Sequence, residues 1–141
     1  MNRLLLACGA TLLATLALAQ QTRSPAATDA AVYFIAPHDG EKIHGPVTVR
    51  FGLKGMGIAP AGIKFDNTGH HHLLVDTDVS EIKLDASLPA TDKIVHFGKG
   101  QTETVLTLPP GKHTLELVFA DWQHVSFDPP LTSKKITITV E

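Results

Sequence analysis

What most limits this chain is a rhythm: short runs of alternating or β-branched residues, each ended by a cluster of Gly, Pro, Asp or Asn. Alternation at period two puts one set of side chains on one face of an extended strand, and Gly and Pro break both strand and helix at its ends. Seven such runs stand out, at residues 31–36, 47–53, 70–76, 93–97, 103–108, 112–120 and 134–140. After residue 19 no window of eleven residues keeps the i, i+3, i+4, i+7 apolar spacing that an amphipathic helix needs. The pattern predicts an all-β chain: a single immunoglobulin-like antiparallel β-sandwich of about seven strands.

Size agrees with one unit, since 141 residues leave room for one domain. Residues 1–19 read as a signal peptide, with Arg3 as the positive start, an apolar stretch from Leu4 to Leu18, and Ala17-Leu18-Ala19 as a small-x-small cleavage site. Residues 20–30, rich in Ala, Ser, Thr and Pro, read as a flexible lead-in, and residues 31–141 as the sandwich. The expected location is periplasmic or secreted, with no membrane span in the mature form. Cys8, the single cysteine, falls in the leader, so the mature chain has neither a disulfide nor a thiolate ligand.

Composition removes several function classes. Twelve basic residues against fourteen acidic ones give no polyanion-binding face, so no nucleic acid partner is expected. Gly98-Lys99-Gly100-Gln101 lacks the Gly-Lys-Ser/Thr and helix of a phosphate-binding loop. Ser80, Ser87, Ser126 and Ser133 lack a nucleophile elbow, and the acids are scattered over turns, so neither acyl transfer nor glycoside hydrolysis is indicated. A blue-copper centre fails for want of a thiolate, and a methionine-rich copper carrier fails because Met56 is the one methionine after the leader. No enzyme is expected.

The feature left over is eight histidines. In a sandwich of this kind the loops after the second, fourth and sixth strands lie at one end. His70, His71 and His72 close the first of these loops, His96 opens the second and His124 lies in the third, so five histidines converge. His38, His44 and His113 fall at the other end. Within the triplet, His70 and His72 share a face while His71 turns to the side of Leu73 and Val75. A His-x-His pair with a third imidazole from a neighbouring element is the usual way a sheet builds a nitrogen-rich site for Cu²⁺ or Zn²⁺. The candidate metal residues are His70, His72, His124, His71, His96 and Asp121, with Asp121 orienting a ring from behind and Asp66 and Asp128 able to do the same. The alternative is a structural role for the rings in a non-enzymatic module that docks an envelope protein or glycan. Trp122 is either a loop anchor on the core or a platform for a ligand.

Several stretches carry a resemblance. Leu106-Thr-Leu-Pro-Pro-Gly-Lys-His-Thr-Leu-Glu-Leu is similar to the passage into the sixth strand of bacterial immunoglobulin-like domains, with His113 at the tyrosine-corner position. Phe51-Gly-Leu-Lys-Gly-Met-Gly-Ile-Ala-Pro-Ala-Gly, Asn67-Thr-Gly-His-His-His-Leu-Leu-Val-Asp, His96-Phe-Gly-Lys-Gly-Gln-Thr-Glu-Thr and the stretch from Asp121 to Pro130 resemble a family of small exported bacterial domains of uncharacterised function. That resemblance implies the fold and brings no activity with it.

Overall fold

A computed structural model describes residues 22–141, so the expected signal peptide lies outside the described residues. The chain is an all-β sandwich. Its strands are β1 (Ala31–Ala36), β2 (Lys42–Ile43), β3 (Val47–Lys54), β4 (Gly57–Ile58), β5 (Thr68–Val75), β6 (Ile94–His96), β7 (Glu103–Leu106), β8 (Gly111–Ala120), β9 (Ser126–Thr132) and β10 (Ile136–Val140). A three-stranded sheet runs β1-β3-β7, and a larger one runs β2-β10-β8-β5-β4, with β6 beside β5 and β9 beside β8. Pairing between these strands is antiparallel except for two short parallel contacts, β10 with β2 and β4 with β5.

Alternation explains the main core. Val47, Val49 and Phe51 of β3 point inward while Thr48 and Arg50 point out, and Ile136, Ile138 and Val140 do the same on β10. They meet Leu73 and Val75 of β5 and Leu115, Leu117 and Phe119 of β8. Each large aliphatic side chain buried there contributes about 1.5–3 kcal/mol of transfer free energy.

All seven runs form strands, and the additions have physical reasons. β2 and β4 are two residues long and carry no readable alternation. β9 is masked in the sequence by Asp128-Pro129-Pro130, because proline cannot donate to a ladder. The strand accommodates them at a register irregularity opposite Phe119 and Ala120, keeps all three exposed, and turns Phe127 and Leu131 inward. Of the expected lead-in, residues 22–30 are described. Ser24 and Ala26 pair with Asp128 by backbone hydrogen bonds of 2.8 and 2.9 Å, and the Arg23 guanidinium donates to the carbonyls of Ser126 and Phe127.

β5 and β8 differ from the other strands in being buried on both faces. Their outer residues Leu74, Val118 and Ala120 pack with Leu88 and with half-buried Val79, Ile82 and Leu84, which belong to the β5–β6 connection. That connection holds one 3-10 turn, Val79–Glu81, closed by a capping box: the Asp78 side chain accepts from Ser80 N–H, and the Glu81 carboxylate accepts from Asp78 N–H. Buried Glu116 on β8 accepts from Val79 N–H at 3.3 Å and pins the cover to the sheet. The outer face of the larger sheet thus has a small core of its own, and the histidines continue it toward one end.

Candidate metal centre

His70 and His72 stand on the outer face of β5, in line with Leu74. In the ladders His70 lies opposite Ala120 and His72 opposite both Val118 and His96. Small Ala120 beside His70 leaves room for an imidazole, and the antiparallel register with β6 delivers His96 to the same face. His124 arrives from the β8–β9 hairpin. Its φ of 66° puts it in the left-handed region that a non-glycine residue enters only when the local bonds demand it. They do: Asp121 Oδ1 accepts from Gln123 N–H (2.9 Å) and Val125 N–H (3.2 Å), Asp121 C=O accepts from His124 N–H (2.9 Å), and Asp121 N–H donates to Val125 C=O (2.9 Å). Ser24 Oγ donates to Asp121 Oδ2 at 2.8 Å, and Leu88 N–H donates to His124 C=O at 2.9 Å.

Four rings are brought together. Centroid separations are 4.9 Å for His70–His72, 5.0 Å for His70–His96, 5.0 Å for His70–His124 and 5.1 Å for His72–His96. His96–His124 is 4.8 Å and His72–His124 is 6.0 Å. His70, His96 and His124 each offer a nitrogen within 4.8 Å of the others, a grouping that can hold a metal ion. His71 goes elsewhere. Its ring lies on the opposite face, 5.0 Å from Phe51 and 5.1 Å from Phe119, inside the main core. Asp121 is buried and keeps both oxygens occupied, so it fixes the hairpin that carries His124 and places a negative charge near His70.

The electrostatics follow from burial. His70, His71 and His72 are 0% exposed. Desolvation lowers His70 to about 4, helped by the neighbouring His124 and His96 and opposed by Asp121. It lowers His71 to about 4 alone, and His72 to about 2 with help from His70, His96 and His124. His96 is lowered as well, by desolvation and then by His124. At neutral pH these imidazoles are uncharged, the form that ligates a metal. Both ring nitrogens of His70, His71 and His72, and Nε2 of His96, have no hydrogen-bond partner. Leaving such a group buried and unpaired costs about 1–3 kcal/mol, so seven of them in one small domain call for a ligand or a compensating reason.

At the far end, His113 is satisfied: Nδ1 lies 2.8 Å from Asp76 Oδ2 and Nε2 lies 2.8 Å from the Pro109 carbonyl, four residues upstream. His44 lies 3.6 Å from the Glu141 carboxylate at the surface. Asp66 and Trp122 line a separate cleft of about 460 Å³ with Ser24, Lys64, Phe65 and Phe127, and the Lys64 ammonium sits 5.6 Å from the Trp122 ring.

Two residues that build the site escaped the sequence reading. A Cβ on Gly98 would fall 2.2 Å from His96 Cε1 and 2.5 Å from His96 Nε2, so only glycine lets that ring sit where it does. A Cβ on Gly69 would meet the Ala120 carbonyl at 2.2 Å, and glycine there lets β5 approach β8 at the base of the cluster. The signal available was a glycine one or two residues from a histidine, at the edge of a strand run.

Fold and site together define a small all-β domain with a buried imidazole cluster. Residues 49–141 match the family model described as a domain of unknown function (DUF4399), and the chain belongs to that family. No curated protein matches it. Among solved structures it is similar to the endo-beta-1,4-mannanase from Thermotoga petrophila, at 20% identity and a TM-score of 0.46, over 80% of this chain and 20% of that one. Among the described residues no helix is long and apolar enough to cross a membrane.

Proposed function

We propose that this is an exported, immunoglobulin-like domain that binds a divalent transition metal, copper or zinc, in a periplasmic or secreted setting, and that it handles the ion without catalysing a reaction on it. The observation that carries this reading is the gathering of four imidazoles, most of whose nitrogens are buried and unpaired, at one end of the sandwich. A transition ion would take one nitrogen from each ring it binds, and nitrogen donors favour Cu²⁺ or Zn²⁺ over Ca²⁺ or Mg²⁺. Export is supported by the leader-like residues 1–19 and by a site that uses no thiolate, which suits an oxidising compartment. Titration calorimetry at pH 7.5 on the untagged chain from Gln20 onward tests it. One equivalent of Zn²⁺ or Cu²⁺ should bind tightly, and His70→Ala/His72→Ala should weaken binding at least ~100-fold. Equal binding by both proteins would refute the reading.

A second reading, docking to an envelope protein or glycan, is favoured by one observation. Phe65 is 72% exposed and Ile63 55%, on the same stretch that lines the cleft beside Trp122. Recovery of a stoichiometric partner by chelated, metal-free protein, lost in Phe65→Ser, would support it.

A further inference from the structure

The separations among the four rings distinguish coordination geometries. A zinc–nitrogen bond is about 2.0–2.1 Å and the ring centroid lies about 1.1 Å behind the nitrogen, so each centroid stands about 3.2 Å from a shared ion. Four centroids at the corners of a tetrahedron of that radius are about 5.2 Å apart on every edge, whereas a square arrangement gives four edges of about 4.5 Å and two diagonals of about 6.4 Å. Five of the six observed separations lie between 4.8 and 5.1 Å, and the sixth is 6.0 Å. That is a tetrahedron with one stretched edge, between His72 and His124.

His72 decides how many ligands there are. With His70, His96 and His124 alone, an ion would keep an open position, and His72 would remain a fully buried ring with two unpaired nitrogens at its side. With His72 included, all four rings gain a partner. Among the described residues no carboxylate joins the histidine grouping, and both Asp121 oxygens already accept hydrogen bonds. Backbone order pre-sets the arrangement: His70 and His72 are held by β5, His72 faces His96 across the β5–β6 ladder, and His124 is locked by the Asp121 hairpin.

We propose that His72 is the fourth ligand of a closed, tetrahedral, all-imidazole site, and that the resident ion is Zn²⁺. This rests on the metal-binding reading and narrows it. Zn²⁺ has no geometric preference from its d electrons and takes a tetrahedron without strain, while Cu²⁺ prefers tetragonal surroundings that these rings do not provide. A closed set leaves no site for activated water, which fits holding or buffering an ion.

Cobalt substitution tests the geometry on untagged protein collected from an exporting host. Co²⁺ loaded in place of Zn²⁺ should give the intense visible bands of four-coordinate cobalt. His72→Leu, which fills the space and removes both nitrogens, should still bind Co²⁺ but with a shifted visible spectrum as a water takes the vacated position, and with Zn²⁺ affinity down ~10–100-fold. Zinc-edge X-ray absorption on the unsubstituted protein should count four imidazoles and needs no variant. Weak bands in the unsubstituted protein, an unchanged spectrum in His72→Leu, or a three-imidazole count would overturn the inference while leaving metal binding in place. Failure of the unsubstituted protein to bind either ion would overturn the metal-binding reading and this inference with it.

Discussion

Strand β5 presents two faces to two different interiors, and three consecutive histidines sample both. On the inner face His71 stands among Phe51 and Phe119, in a core whose other members are aliphatic or aromatic. On the outer face His70 and His72 stand among other imidazoles. Burial is equal, since all three are 0% exposed, and all three rings are held neutral. What differs is company: a metal can reach donors that face one another and cannot use a donor surrounded by hydrocarbon. Burial and a depressed pKa therefore mark a group under stress, and only its neighbours say whether that stress is put to use.

The contrast breaks most visibly in thermal stability. Zinc at a hundredfold excess over its Kd should stabilise the protein by about 2.7 kcal/mol, roughly 10 °C in Tm for a domain of this size, and a chelator should reverse the gain. His71→Leu should keep the whole shift, whereas His70→Ala/His72→Ala should lose it. If scanning calorimetry shows the inner-face variant losing the shift as well, the two faces are not separate and the assignment of roles fails.

The next effect is on pH. In metal-free protein His70 and His71 titrate near 4 when folded and near 6.5 when unfolded. Above pH 6.5 both states are neutral and stability is full; as pH falls from 6.5 toward 4 the unfolded chain takes up protons that the folded one refuses. Stability should drop by about 1.4 kcal/mol per pH unit for each such group, read from urea midpoints at pH 7, 6 and 5. His113 works with the opposite sign. The hydrogen bond to Asp76 raises its pKa, so its contribution is present below 6.5 and fades as pH rises through the folded value. Zinc binds the deprotonated rings, so it should leave the acid slope of the outer face in place or steepen it, because the metal-loaded fold takes up protons no more readily than the metal-free one, and it should leave the contribution of His71 intact. An acid slope that zinc flattens would break the comparison.

Much of this was legible in the chain. Period-two alternation was enough to place the seven main strands and to sort His70 and His72 from His71, because a strand has only two faces. It could not show β9, where Asp128-Pro129-Pro130 imitates a loop, nor the cover over the outer face, whose Val79, Ile82, Leu84 and Leu88 fit neither strand nor helix spacing. The same cover explains why β5 carries Leu73-Leu74-Val75 as an unbroken apolar run: the strand is buried on both sides. The reach of His96 depends on the β5–β6 register, a long-range pairing with no local signature. Gly98 and Gly69 carry their meaning in what a Cβ would strike, which only three dimensions reveal.

The smallest expected effect is the most diagnostic of the inner face. His71 has two buried nitrogens without partners, and its ring packs against Phe51 and Phe119. Leucine has similar volume and no polar atoms, so His71→Leu removes a desolvation cost and puts hydrocarbon where the core already is hydrocarbon. Stability at pH 7 should stay level or rise by about 1 kcal/mol, with the steeper gain at pH 5 because one fewer site takes up a proton on unfolding. At His70 or His72 the same change to leucine removes a donor from a polar cluster, leaves the neighbouring imidazoles still unpaired, and abolishes or weakens the zinc response. A loss of more than ~3 kcal/mol in metal-free His71→Leu, beyond what a change of side-chain shape in a packed core costs, would mean that the inner imidazole has a partner of its own.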